Sequence, residues 1–203
     1  MIQFTDITGL TGMALACAVA LSSLLGRVAR GVAIAPVLML GGAFLLMLVP
    51  VPGLPLAAYV RGMVGDLSVT SVVLLAYVAA RRSDGRAGPA NDESGNGWMC
   101  GLVLLTACLL YPMALGASAL DPYRWGYGDP GFMTGLLALA VVGHIARIPF
   151  VAMAISLAVL AWTVGWYEST NLWDYLIDPM LALYALGRLL AIAVSGWRRY
   201  RRY

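Results

Sequence analysis

"DPMLALYALGRLLAIAVSGWRRYRRY", Asp178 to Tyr203, opens on an Asp-Pro pair and closes on four arginines. Between Met180 and Trp197 it carries one charged residue, Arg188. Such a run has the ~20 residues a helix needs to cross a bilayer. The arginines behind it mark the cytoplasmic end, because basic residues are retained on that side. The Asp-Pro in front supplies a capping carboxylate and a first-turn residue that needs no N–H donor.

The same reading extends along the chain. Apolar runs fall at about 7–26, 31–49, 56–80, 98–118, 131–146, 148–166 and 178–197. The fifth and sixth could form one long helix, but "HIARIP" interrupts them with His144, Arg147 and Pro149. Proline suits the first turn of a new helix and disfavours the middle of one, so a tight helical hairpin is expected there. Overall 61% of residues are hydrophobic and 11% charged, against roughly 25% charged in a soluble domain. The expected fold class is an all-α polytopic integral membrane helix bundle of about seven transmembrane helices.

Arginine placement orients it. With the N-terminus outside and the C-terminus cytoplasmic, the inner face holds Arg27, Arg30, Arg81, Arg82, Arg86, Arg147, Arg198, Arg199, Arg201 and Arg202. Only Arg124 then lies clearly outside, with Arg61 near that edge. Residues 1–203 are read as a single transmembrane domain in a bacterial-type inner membrane. No cleavable leader is expected, since Met1 to Thr5 carries no basic residue. Residues 81–97, "RRSDGRAGPANDESGNG", have too little apolar content to bury anything and are expected to form a flexible cytoplasmic loop.

Composition excludes several chemistries. All thirteen basic residues are Arg, which removes a lysine Schiff base and a Walker lysine. The one histidine, His144, removes bis-histidine haem and zinc sites built on two or more His. Cys17, Cys100 and Cys108 lie inside apolar runs with no C-x-x-C, so neither a structural disulfide nor a thiol redox motif is expected. No metal, cofactor, catalytic residue or nucleic-acid partner is assigned.

The functional signals gather on the outer face. Asp6, Asp121, Asp129, Glu168, Asp174 and Asp178 fall there, and Asp-Pro recurs at 121–122, 129–130 and 178–179. Asp129 and Asp178 are expected to cap the helices that follow, and Asn171 with Asp174 to cap a short interfacial turn. Beside them lie Tyr123, Trp125 and Tyr127, then Trp166, Tyr167, Trp173 and Tyr175. The plain reading is an aromatic belt at headgroup level with helix caps. The functional reading is a binding surface on Tyr123, Arg124, Trp125, Glu168, Trp173 and Asp174. Capping explains Glu168 least, and it is expected to pair with Arg124 of the neighbouring loop.

Two charges fall deeper. Asp66 lies about 15 Å into the third run at the helical rise, on a face with Gly62, Gly65, Val69 and Thr70. Arg188 lies near the middle of the last run. Intramembrane charges are costly and usually pair, so an Asp66–Arg188 ion pair is expected. Arg61 is the rival partner, but five residues along one helix turn the two side chains about 140° apart. Small-residue stripes (Gly12, Ala16 and Ala20; Gly41 and Gly42) are expected at helix contacts, and Pro36 and Pro112 at kinks.

Three functions fit. The first is a non-catalytic subunit of an envelope or membrane assembly. It would present its acidic, aromatic outer face to another membrane or periplasmic protein, an envelope glycan or a lipid headgroup. The second is a small transporter or proton-linked channel with Asp66 and Arg188 on its path. The third is a membrane enzyme acting on a lipid-linked glycan through Glu168 or Asp174.

Overall fold

The computed structural model describes residues 4–28, 35–83 and 93–201, and nearly all regular structure in them is helical. Helix α1 covers Phe4–Val28 and α2 covers Pro36–Met47. A small antiparallel hairpin follows, β1 (Pro50–Val51) against β2 (Leu54–Pro55). Then come α3 (Leu56–Val64), α4 (Val69–Ser83) and α5 (Glu93–Ala114). A 3₁₀ turn spans Pro122–Tyr127, followed by α6 (Pro130–Ile145), α7 (Pro149–Thr163), α8 (Trp173–Leu176) and α9 (Pro179–Tyr200).

Three of these helices hold stretches long and apolar enough to cross a membrane: Phe4–Gly26, Gly97–Ala114 and Pro179–Arg198. Four apolar helices are shorter: Pro36–Met47, Val69–Arg81, Pro130–Ile145 and Pro149–Thr163. Only 11% of the apolar window of α9 is buried within the protein. Leu137, Leu160, Leu183 and Leu190 likewise stand more than half exposed. Apolar surface of this extent is costly in water and ordinary in a lipid environment.

The third apolar run is not one helix. Gly65 takes φ +84°, a left-handed conformation that its missing Cβ makes accessible, and its N–H closes α3 on the Arg61 carbonyl at 2.8 Å. Ser68 then starts α4: its Oγ accepts from the Ser71 N–H at 3.2 Å and its carbonyl from the Val72 N–H at 3.0 Å. Asp66 therefore sits in a break between helices and not on a helical face with Gly62 and Val69. Pro36 begins α2 without kinking it, while Pro112 lies inside α5. The "HIARIP" hairpin is present, with α6 ending at Ile145, Arg147 at φ 59° and α7 starting at Pro149. A Cβ on Gly143 would lie 3.2 Å from Val151, which shows how closely the two helices approach.

Gly12 faces α4, where a Cβ would lie 3.2 Å from Val72, but no neighbour lies within 4 Å of that position on Gly41 or Gly42. The two ends of the segment expected as a loop, 81–97, are helical. Helix α4 continues through Arg81–Ser83 and α5 starts at Glu93, while 84–92 lie outside the described residues, as do Arg30, Arg86 and Arg202.

Helix α4 lies centrally, against α1, α2, α7 and α8. One core cluster joins Met13 and Ala14 of α1 to Ala57 and Leu67. A second joins Val69 of α4, Leu136, Ile155 and Ala158 to Tyr167, Leu172 and Tyr175 of the segments after α7. A third joins Ala107 and Leu110 of α5 to Ile177 and Leu181, with Leu74 of α4 packed against it. The N-terminal ends of α1, α4, α6 and α9 and the C-terminal ends of α5 and α7 thus meet at one end of the bundle.

Candidate functional site

At that end two loops lock together. The first is the 3₁₀ turn; the second runs from Trp166 to Asp178. Tyr123 donates its hydroxyl to both oxygens of Asp174, at 2.9 and 3.1 Å. Asn171, 1% exposed, donates from Nδ2 to the Tyr123 carbonyl at 2.8 Å and accepts at Oδ1 from the Trp173 N–H at 2.9 Å. Trp173 donates its indole N–H to the Pro122 carbonyl at 3.0 Å, and the Leu172 N–H reaches the Gly126 carbonyl at 2.8 Å. The fit leaves no room for a side chain at Gly126, where a Cβ would fall 1.8 Å from Asn171 Oδ1.

Inside the second loop, Tyr175 is fully buried and donates its hydroxyl to the carbonyls of Ser169 (2.9 Å) and Tyr167 (3.2 Å). Ser169 donates to Asp174 at 2.5 Å. The N-terminal turns of α1 are tied in as well, because Thr8 Oγ1 donates to the Trp166 carbonyl at 2.5 Å. Phe4 meets Trp166 edge to face, with centroids 5.5 Å apart. Burial holds the Tyr123, Tyr167 and Tyr175 phenols above their ordinary range, since removal from water disfavours the phenolate. Asp174 adds to the effect at Tyr123, and Asp66 at Tyr167.

Below the loops lies a buried carboxylate. Asp178 is 4% exposed and joins two helix N-termini. Its Oδ1 accepts from the Leu181 N–H at 2.8 Å, capping α9. Its Oδ2 accepts from the Ser68 N–H (2.8 Å), Ser68 Oγ (2.6 Å) and Ser71 Oγ (2.5 Å). Two helix dipoles and two hydroxyls therefore replace water around this anion. Asp129 caps α6 by accepting from the Phe132 N–H at 2.8 Å, and Asp121 accepts from the Tyr123 N–H at 3.1 Å.

The expected ion pairs are replaced by others. Asp66 pairs with Arg61, which donates from Nε to Oδ1 at 2.6 Å and from Nη2 to Oδ2 at 3.1 Å. Arg61 also reaches Asp6 Oδ1 from Nη1 at 3.3 Å. The break at Gly65 explains this, because it folds Asp66 back over the last turn of α3 and cancels the angular separation a continuous helix would impose. Gly9 of α1 makes the space, since a Cβ there would lie 2.2 Å from Asp66 Oδ1. Among the described residues Arg188 forms no ion pair with Asp66, and Arg124 forms none with Glu168. Arg124 and Glu168 are both exposed, and neutral hydrogen bonds tie the two loops where that pair was expected.

The aromatic group divides in two. Tyr167 and Tyr175 are buried, and Trp173 stacks on Phe132 with centroids 4.5 Å apart. Trp125, Tyr127 and Trp166 stay 43%, 59% and 40% exposed. Ser68 and Ser71 were not singled out in the sequence, although Ser-x-x-Ser after a glycine is a legible helix start. Tyr111 was also missed, for it lies in an apolar run and only the approach of α5 to α9 brings it to the site. Among the described residues no three His, Cys, Asp or Glu side chains are placed to hold a metal ion. No protein family, curated protein or solved structure compared with the chain matches it.

Proposed function

We propose that the protein is a seven-span inner-membrane protein, N-terminus outside and C-terminus cytoplasmic, acting as a non-catalytic subunit of a membrane or envelope assembly. Seven apolar helices support the count, and the arginines then favour the cytoplasmic side. The observation that carries the functional reading is the double-loop platform. Its polar groups are consumed in holding it rigid, while Arg124, Trp125, Tyr127, Trp166 and Glu168 stand exposed on it. Rigid exposed aromatics with charges beside them suit recognition of a partner at low entropic cost. The transporter alternative places Asp66 and Arg188 on a path, and Asp66 is held by Arg61 at the end of the bundle. Of the two acids the glycan-enzyme alternative names, Asp174 is engaged by Tyr123 and Ser169, and Glu168 stands exposed.

The test is site-specific photo-crosslinking in cells. A probe at Trp125 should give one discrete protein adduct, lost on Glu168→Arg, while a probe at the apolar position Leu137 should give none. Equal adducts from both positions, or none from Trp125 in an abundant protein, would reject the subunit reading. A reporter fused at Tyr203 and active only outside the cytoplasm would reject the orientation.

A further inference from the structure

Arg188 stands midway along the apolar stretch of α9, between Asp178 and Arg198. At the helical rise it is about 15 Å from either. That is farther than an arginine side chain extends, so its charge cannot be carried to a headgroup layer. Among the described residues it forms no hydrogen bond and no ion pair. Cys100 of α5 and Tyr184 of α9 lie close enough to feel its charge, but a thiol and a phenol are neutral at physiological pH.

The guanidinium sits on a border. To one side of Arg188 around the helix, Leu181, Ala185 and Ile192 turn toward the rest of the protein. Leu181 and Ala185 are buried, and Ile192 lies 3.6 Å from where a Cβ on Gly97 of α5 would fall. To the other side Met180, Tyr184, Gly187 and Ala191 are exposed, and a Cβ on Gly187 would meet nothing within 4 Å. One open strip therefore runs along α9 with an unmatched cation at its edge.

This chain does not supply the anion. Of its seven apolar helical stretches only Phe4–Gly26 contains an acid, Asp6 in the first turn, and Arg61 already reaches that acid. A second copy brings no other acid, and a symmetric pair would set Arg188 against Arg188. A charge at mid-span is costly and is normally paired. Its counterpart must lie at the same depth, which only another span provides.

We propose that the open strip of α9 beside Arg188 docks a transmembrane helix of another protein, and that this helix carries a carboxylate at mid-span. Gly187 and Ala191 allow its backbone to come near. The inference rests on the subunit reading and gives that assembly a contact within the bilayer, separate from the platform.

The experiment uses the full chain, with a donor fluorophore at its C-terminus, in phosphatidylcholine vesicles at mildly alkaline pH. The probes are synthetic alanine-leucine helices of about 22 residues, labelled with an acceptor and carrying Glu, Gln or Lys at the centre. Energy transfer should show the Glu helix binding at least about fivefold more tightly than the Gln helix. Arg188→Gln should remove that preference, Arg188→Lys should keep it, and Arg188→Glu should transfer it to the Lys helix. A merely structural role for Arg188 would not produce that exchange. Equal binding of the Glu and Gln helices, no binding of the Glu helix, or a preference kept in a folded Arg188→Gln protein would overturn the proposal. Should Arg188→Gln fail to fold, the comparison of Glu and Gln helices on the parent and on Arg188→Lys still decides. Loss of the preference when about a tenth of the lipid is phosphatidylglycerol would assign Arg188 to a lipid headgroup. Energy transfer between two labelled copies that Arg188→Gln abolishes would assign the strip to self-association. Either result overturns the proposal. The Glu preference without the Trp125 adduct would remove the platform reading alone, and the adduct without the preference would remove this inference alone.

Discussion

Replacing Asp178 by alanine would strip one acceptor from four donors: the N–H groups of Ser68 and Leu181 and the hydroxyls of Ser68 and Ser71. The site is 4% exposed, so water cannot readily take over. The two hydroxyls already lie 3.2 Å apart and can turn toward each other, which softens their loss. The two backbone N–H groups cannot turn, and each buried unmet donor costs about 1–3 kcal/mol. Loss of the α9 cap is part of the same effect and by itself is typically worth ~1 kcal/mol. Together these give a destabilisation of about 3–5 kcal/mol, which for a chain of this size lowers the melting temperature by roughly 10 °C. Asp178→Asn keeps one acceptor oxygen but turns an NH₂ toward donors, so it should lose roughly half as much. Thermal melts in detergent followed by tryptophan fluorescence give the magnitude. Hydrogen exchange locates it, with protection expected to fall both at 68–72 and at 179–182. An Asp178→Ala protein within 1 kcal/mol of the parent would refute the reasoning. So would loosening confined to α9, because the carboxylate would then be a cap and not a link between helices.

Gly9→Ala should destabilise by about 1–3 kcal/mol, since its Cβ would meet Asp66 Oδ1 at 2.2 Å, whereas Gly62→Ala, with nothing within 4 Å, should be neutral or slightly stabilising in the same melts. Gly126→Ala should unlock the two loops, because its Cβ would overlap Asn171; limited proteolysis should then cut between 164 and 172, where the parent resists. Arg61→Ala and Asp66→Ala should each destabilise, and the double variant should lose less than their sum; strictly additive losses would show that the pair is not coupled. Stability should hold from pH 8 to about 9.5 and fall as pH climbs past about 10, the unfolded tyrosine value. The sign follows from Tyr123, Tyr167 and Tyr175, whose folded phenols keep their protons when the unfolded chain has released them. Melts across pH 8–11 with phenolate absorbance check this, and a melting temperature flat to pH 11 would count against it.

Much of what depends on a few neighbouring residues was legible in the sequence. Length and hydropathy mark the apolar runs, and Pro149 after Arg147 marks the hairpin between α6 and α7. Asp before Pro marks the caps of α6 and α9, and Asn171 marks the turn that leads into α8. These signals are local, because a cap or a helix start is settled by hydrogen bonds spanning three or four residues. The choice of partners was not legible. A glycine at 65 permits a break without requiring one, and with the helix unbroken Arg61 points away from Asp66. Only the folded chain brings Arg61 beside both Asp6, 55 residues away, and Asp66. Likewise, capping named Asp178 as a helix start, but its link to Ser71, 107 residues earlier, needs α4 and α9 to meet at one end of the bundle. The two loops were expected to join through Arg124 and Glu168 because opposite charges attract at any separation. The structure joins them through Tyr123, Asn171, Trp173 and Asp174, whose hydrogen bonds act only at contact distance and so depend on how the whole bundle packs.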